Sequence, residues 1–192
     1  MIPTVEQLTG LNVALNEAKF LGLDFELARR RASMRLTILT LAEEPTAQSH
    51  MEVELSLYPV GRVAARLAGP DGQVTAFNLE ELSEVVTSHA GGVIYGWEFF
   101  DPPSENIATW LDQASVDSGH GTVGLTHVLH VFQDTERSKL DVCLWFDELD
   151  VRTGAGNGSL DGVIAAGKRW WDAVFAGDAR ASSSHIHPIK KE

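Results

Sequence analysis

Runs of apolar residues divide this chain into strands and helices, most clearly between residues 140 and 177. From Leu140 to Asp147, apolar side chains occupy every second position, as in a β-strand. After the glycine-rich residues 154–159, the apolar residues recur at helical spacing between the N-cap Ser159 and Gly177, a natural stop. We expect this helix to cover a sheet with one apolar stripe. The stripe consists of Leu160, Val163, Ile164, Gly167, Trp171, Val174 and Phe175.

The same two periodicities predict the other elements. Alternation predicts strands over residues 20–27, 34–41, 51–57, 60–67, 93–101, 125–132 and 139–151. Helical spacing predicts helices over residues 4–16, 79–89, 106–113 and 159–176. Because the strands follow one another in hairpin-like order and do not alternate with helices, we predict an α+β fold. In this fold a mostly antiparallel sheet of six to seven strands is covered on one face by the two main helices, residues 79–89 and 159–176.

The sequence is typical of one domain. Its 192 residues suffice for a sizeable core, and we find no internal repeat, interdomain linker or heptad array. We predict that residues 1–180 form this domain. Serines, two histidines and lysines dominate residues 181–192, which we predict to be a disordered C-terminal tail.

Charge and cysteine content narrow the class of protein. The net charge of −12 at pH 7 disfavours binding to nucleic acid or to an anionic membrane. No apolar run approaches the roughly 18 residues of a membrane-spanning helix, and the N-terminus lacks the pattern of a signal peptide. Cys143 is the only cysteine, which excludes an internal disulfide and, on a predicted strand, indicates a buried thiol. We therefore expect a cytoplasmic protein.

The glycine-rich residues 154–159 lie between a predicted strand and a predicted helix, where phosphate-binding loops occur. They lack the Gly-Lys-Ser/Thr ending of a P-loop and the full G-x-G-x-x-G spacing. No clear strand follows the helix to complete a βαβ unit. We therefore expect a loop with a helix cap and assign no cofactor.

Histidines and carboxylates are the next candidates for chemistry. His127 and His130 are three residues apart on a predicted strand, so they point to opposite faces and cannot both bind one ion. The sequence contains no HExxH or CxxC spacing for zinc and no G-x-S-x-G nucleophile elbow. We therefore assign no catalytic residue and no metal ligand. One alternative stays open, namely a pocket between sheet and helices in which Glu98, His127 and Asp147 converge.

Five tryptophans are many for this length, and most of them should lie in the core. Trp145 lies on the strand face opposite Leu144 and Phe146, and Trp170 lies at the edge of the apolar stripe of the last helix. Both are predicted to be partly exposed. Because an exposed tryptophan beside Arg169 has the composition of a binding hot spot, we predict an interaction surface formed by Trp145, Arg169 and Trp170.

Two classes of function follow. The preferred one is a non-catalytic protein-binding or self-associating module, which acts on a basic protein partner or as a homodimer; small acidic proteins that neutralise a basic partner share this bulk character. The alternative is a small-molecule-binding protein or a hydrolase-like enzyme that uses the carboxylate and histidine pocket. A deep pocket with a histidine bonded to a carboxylate would favour the alternative, and a flat apolar patch around Trp170 would favour the binding module.

Overall fold

The computed structural model describes residues 1–41, 50–119, 125–154 and 156–181. Within these ranges the chain forms four α-helices and ten β-strands. The helices are α1 (Val5–Leu15), α2 (Leu82–Ser88), α3 (Ser104–Leu111) and α4 (Leu160–Phe175). The strands are β1 (Lys19–Glu26), β2 (Arg31–Leu39), β3 (His50–Tyr58), β4 (Arg62–Ala68), β5 (Val74–Thr75), β6 (Val116–Gly119), β7 (His127–Asp134), β8 (Lys139–Phe146), β9 (Glu148–Thr153) and β10 (Gly156–Asn157).

The strands form two antiparallel sheets. The first sheet has the order β1–β2–β3–β9–β10, and the second has the order β5–β4–β8–β7, with β6 also paired to β4. Neighbouring strands in both sheets pair antiparallel. The α+β class with antiparallel strands is therefore confirmed, although the strands divide between two sheets.

The chain passes between the two sheets at a corner. It crosses from β3 to β4 through Pro59 and Gly61, and it returns from β8 to β9 through Asp147 alone. The backbone N–H of Gly61 donates to the Trp145 carbonyl at 2.9 Å, which ties the two crossings together. The strand predicted over residues 139–151 is therefore two strands, one in each sheet.

The segment 93–101 is not the regular strand that its alternating aromatic residues predict. It forms only isolated bridges, at Val93 with Lys19 and at Phe100 with Leu129. Positive φ angles at Gly96 (138°) and Asp101 (47°) break the extended backbone. This irregular segment carries two exposed aromatic side chains, since Tyr95 is 54% and Trp97 46% exposed.

The main core lies between the inner faces of the two sheets and the helices. Helix α4 packs mainly against α1, and both helices reach β2. Backbones approach closely here, since a Cβ atom added to Gly167 would lie 2.5 Å from the Ala14 Cβ, and one added to Gly10 would lie 2.5 Å from Ile164 Cγ2. Gly10 weakens α1 locally but permits this helix contact. Fully buried core residues include Leu11, Leu15, Phe20, Leu36, Leu55, Leu57, Leu144 and Phe146.

Both predicted caps of α4 are confirmed. The Ser159 hydroxyl accepts a hydrogen bond from the Gly162 N–H at 3.0 Å. After the helix, Gly177 adopts φ 71° and donates to the Val174 carbonyl, while Asp178 donates to Ala173. These are the paired bonds of a Schellman motif, in which a left-handed residue satisfies the last carbonyl groups.

The prediction that the apolar stripe of α4 continues to Phe175 is wrong. Phe175 is 74% exposed, whereas Trp170, predicted at the edge, is only 5% exposed, and Trp171 is buried as predicted. Trp170 and Trp171 belong to a cluster with Leu39, Leu41 and other residues. Since these contacts come from the end of β2 and the chain after α4, the periodicity of the helix alone could not reveal them.

Helix α3 covers the outer face of the second sheet. Ile107 and Trp110 pack there against Ala64 and Cys143. Cys143 is fully buried, as predicted, and this burial raises the pKa of its thiol. Such a thiol is a packing group and not a nucleophile.

The structure describes only the first residue of the predicted C-terminal tail, residues 181–192. Ala181, the first residue of the predicted tail, is buried in a 3₁₀ helix at Ala179–Ala181. The rest of that tail, residues 182–192, lies outside the described residues. None of the helices in the described ranges combines the length and apolar character needed to cross a membrane.

Candidate functional site

An open cleft of about 380 Å³ lies beside β7, the last strand in the order of the second sheet. It is bounded by the segment 96–102, helix α3 and the outer face of β7. We call it the aromatic cleft, because four of its eight lining residues carry aromatic rings. Its lining residues are Gly96, Trp97, Glu98, Phe99, Pro102, Asn106, His130 and Phe132.

The backbone of segment 96–102 creates the cleft by pairing with β7 and then leaving it. His130 N–H donates to the Phe99 carbonyl at 2.7 Å, and Asp101 N–H donates to the Val128 carbonyl at 2.8 Å. Towards Gly96 the segment departs from the strand, with Trp97 46% exposed and Phe132 37% exposed. The cleft lies against these two exposed rings.

Two asparagines of the α1 region hold this segment in place. Asn12 Oδ1 accepts from the Phe100 N–H at 2.7 Å, and its amide donates to the Phe100 carbonyl at 3.1 Å. Asn16 Oδ1 accepts from the Gly96 N–H at 3.1 Å. These bonds satisfy backbone groups of a segment that belongs to no regular strand.

Two polar groups face the cleft with defined partners. Glu98 accepts a hydrogen bond from the Asn106 side-chain amide at 3.1 Å. His130 Nε2 lies 3.1 Å from Asp141 Oδ1, and the two side chains are 13% and 20% exposed. In the tautomer that carries its proton on Nε2, the ring donates this hydrogen bond to Asp141 and keeps a lone pair on Nδ1.

The rings continue from the cleft to the end of α4. The Trp97 ring contacts the buried Trp171 at a centroid distance of 5.2 Å, and Trp171 contacts Phe175 at 6.1 Å. Tyr95, beside the cleft, is 54% exposed. Exposed aromatic side chains are therefore concentrated on one side of the molecule.

The predicted interaction surface of Trp145, Arg169 and Trp170 is not one exposed patch. Trp145 is half-buried beneath Arg62, whose guanidinium carbon lies 4.6 Å from the ring centroid. Arg169 Nε donates to the Leu41 carbonyl at 3.2 Å. The predicted exposure of Trp170 is wrong, because it packs in the cluster at the end of α4, apart from the cluster that contains Trp145.

The residues of the predicted pocket, Glu98, His127 and Asp147, have three different partners. Glu98 lies in the aromatic cleft. Asp147 accepts from the backbone N–H and hydroxyl of Thr126 at 2.9 and 3.2 Å. His127 is buried, and its Nδ1 lies 2.9 Å from Asp101 Oδ2. These contacts do not bring the three residues together into one site.

His130 and Asp141 are the residues that sequence reasoning missed. His127 and His130 do lie on opposite faces of β7, and the outward one faces the cleft. In the β7–β8 hairpin, His130 pairs with Cys143 and Phe132 pairs with Asp141, so Asp141 lies diagonal to His130. The predicted strands 125–132 and 139–151, which follow one another in hairpin-like order, were the signal that could have placed them together.

Within the described ranges, no three His, Cys, Asp or Glu side chains lie close enough to hold a metal ion. No protein-family model, no curated protein and no solved structure matches this chain. Function is therefore inferred from the geometry of the aromatic cleft.

Proposed function

We propose that this protein is a non-catalytic binding module that holds a protein partner at the aromatic cleft. The observation that carries this proposal is the exposure of Trp97, at 46%, between the cleft and the exposed Phe175. Clustered apolar exposure is characteristic of interaction sites. Tryptophan is also the residue most enriched among those that dominate binding energy.

The chemistry of the cleft lining supports a role in binding. Among the described residues that line it, none carries a hydroxyl or thiol group. Cys143 lies opposite His130 on the neighbouring strand, but it is fully buried and its thiol pKa is raised. A mechanism that needs a serine, threonine, tyrosine or cysteine nucleophile therefore lacks that side chain in the described lining.

Charge favours a basic partner over a second copy of the chain. At a net charge of −12, two copies repel each other at long range, whereas a basic protein is attracted. Self-association through the same surface is the competing form of this proposal. Light scattering separates the two, because a homodimer doubles the mass of the purified protein.

Substitution of Trp97 tests the proposed surface. In quantitative capture from extracts of the native host, Trp97→Ala should reduce partner recovery by about 30-fold, equivalent to about 2 kcal/mol at a hot spot. Val5→Ala is the matched control, since Val5 is 71% exposed on α1 and does not line the cleft. Equal recovery by wild type and Trp97→Ala, with a cooperative melting transition retained in both, would contradict the proposal.

A second candidate function rests on the His130–Asp141 pair. This pair would allow His130 Nδ1 to act as a general base toward a water molecule in the cleft, as in a hydrolase-like enzyme. A panel of ester, amide and phosphoester substrates tests it. If the candidate is right, His130→Gln should lower turnover by about 10²-fold or more; if the binding proposal is right, the wild-type protein turns over none of them.

A further inference from the structure

We infer that the aromatic cleft accepts a guanidinium group, namely an arginine side chain of a basic partner protein, between the Trp97 ring and the Glu98 carboxylate. This inference rests on the proposed binding function and names the chemical group that the site recognises.

The composition of the cleft favours a cationic ligand. Its described lining contains three aromatic rings besides histidine, one carboxylate, and neither lysine nor arginine. The face of an aromatic ring carries negative electrostatic potential, so rings and a carboxylate together favour a cation. A cationic ligand would add an ion pair with Glu98, which an apolar ligand would not.

The orientation of Glu98 favours a guanidinium as that cation. Asn106 donates to Glu98 Oε2 at 3.1 Å, which holds the carboxylate in place and leaves Oε1 to accept further bonds. Asn106 adds no charge, so the carboxylate still lacks a cationic partner among the described side chains. A guanidinium donates two parallel N–H groups, which match the two oxygens of a carboxylate.

A complete arrangement of an aromatic ring, a guanidinium and a carboxylate occurs elsewhere in this chain. Arg62 lies over the Trp145 ring at 4.6 Å. Its Nε and Nη2 donate to the two carboxylate oxygens of Asp117 at 2.9 and 2.6 Å. The cleft lining likewise contains a tryptophan and a carboxylate, and it contains no arginine.

Arginine fits this arrangement better than lysine does. The guanidinium is planar and weakly hydrated, so it stacks on a ring while its edge donates to a carboxylate. A lysine ammonium is a compact, strongly hydrated charge without a face for stacking. We therefore expect selectivity for arginine over lysine, and over citrulline, which keeps the shape but lacks the charge.

Titration of the full chain with short peptides tests the inference. The probes are acetylated, amidated tripeptides of Gly-Arg-Gly and the same peptides with lysine or citrulline at the centre. The readout is the indole N–H resonance of Trp97, assigned by its disappearance in Trp97→Phe. The arginine peptide should shift it and bind at least about tenfold more tightly than the citrulline peptide, since charged hydrogen bonds and cation–π contact are both lost.

Glu98→Gln should weaken binding of the arginine peptide by about fivefold, a magnitude suited to an exposed ion pair that also stacks on a ring. Glu105→Gln is the matched control, because Glu105 lies in the first turn of α3 outside the cleft lining. It should leave affinity unchanged. Unchanged melting temperatures establish that each variant is folded.

The outcomes separate this inference from the proposed function. If citrulline binds as tightly as arginine, or Glu98→Gln has no effect, the guanidinium inference is wrong, and loss of partner capture by Trp97→Ala would still support the binding module. If the arginine peptide binds as expected while partner capture ignores Trp97→Ala, the proposed function alone fails. A concentration-dependent homodimer that Glu98→Gln dissociates would identify the arginine donor as a second copy and overturn the basic partner.

Discussion

Trp145 and Trp97 lie in similar chemical surroundings but differ in what covers them. Arg62 covers Trp145 and is held by Asp117, so the ring, the cation and the carboxylate all come from one chain. Trp97 lies beside Glu98 and is 46% exposed, and no arginine or lysine of the described residues lies over its ring. The fold completes one of these arrangements within the chain, and the other is the proposed site of a partner's arginine. Substitutions at the first should therefore change stability, and substitutions at the second should change binding.

The largest expected effect is on stability at Trp145. Trp145→Ala removes a ring that packs with Ala64, Cys143 and α3, so the free energy of unfolding should fall by about 3 kcal/mol. Trp97→Ala should cost only about 1 kcal/mol, because nearly half of that side chain is already in water. Urea denaturation measures both values. Equal losses in the free energy of unfolding would contradict the proposed difference between Trp97 and Trp145.

A smaller effect is expected for the ion pair above Trp145. A double-mutant cycle with Arg62→Ala and Asp117→Ala should give a coupling energy of about 1 kcal/mol, the range of a partly exposed pair. The side chains of Arg62 and Asp117 are 25% and 39% exposed, and the Asp117 hydrogen bonds raise the pKa of Arg62. Repeating the cycle in Trp145→Leu should reduce the coupling if the ring orients the guanidinium. A coupling near zero in the wild-type background would contradict the role assigned to Arg62.

The smallest effect concerns an arginine–aspartate pair in which no aromatic ring of the described residues lies over the arginine. Arg180 bonds to Asp178 at 2.6 Å at the surface, and its side-chain and backbone hydrogen bonds lower the Asp178 pKa from 3.8 to about 2. A lowered folded-state pKa stabilises the protein above the unfolded value, and this contribution is lost as the pH falls from about 4 to about 2. A carboxyl titration by NMR should find no onset for Asp178 near pH 4. Arg180→Gln should return its midpoint towards 3.8, and an unchanged midpoint would show that Arg180 is not the cause.

Local signals predicted much of the fold. The spacing around α4 predicted both of its caps, and the alternating runs located β1, β2, β3, β4, β7 and β8. Such features depend on neighbouring residues, which a single sequence displays directly. The burial of Cys143 followed from its strand position in the same way.

The candidate site depends on contacts that neighbouring residues do not reveal. Segment 93–101 alternates like a strand, but Asn12 and Asn16 hold it as a loop. Asp101 adopts a left-handed conformation, φ 47°, that few non-glycine residues adopt. Its carboxylate offsets this cost by bonding to His127 and to the Val128 N–H. The burial of Trp170 likewise comes from Leu39 and Leu41, far away in sequence.

The contact between α1 and α4 has a consequence for how the chain is made. Gln7 Nε2 on α1 donates to Asp161 on α4 at 2.9 Å across 154 positions of sequence, and the close approach at Gly167 lies in the same helix pair. During synthesis on the ribosome, the side of α1 that packs against α4 therefore stays exposed until nearly all strands of the two sheets have been synthesised. Contacts of such long range slow folding, so a nascent chain halted before α4 should be a substrate for chaperones and proteases.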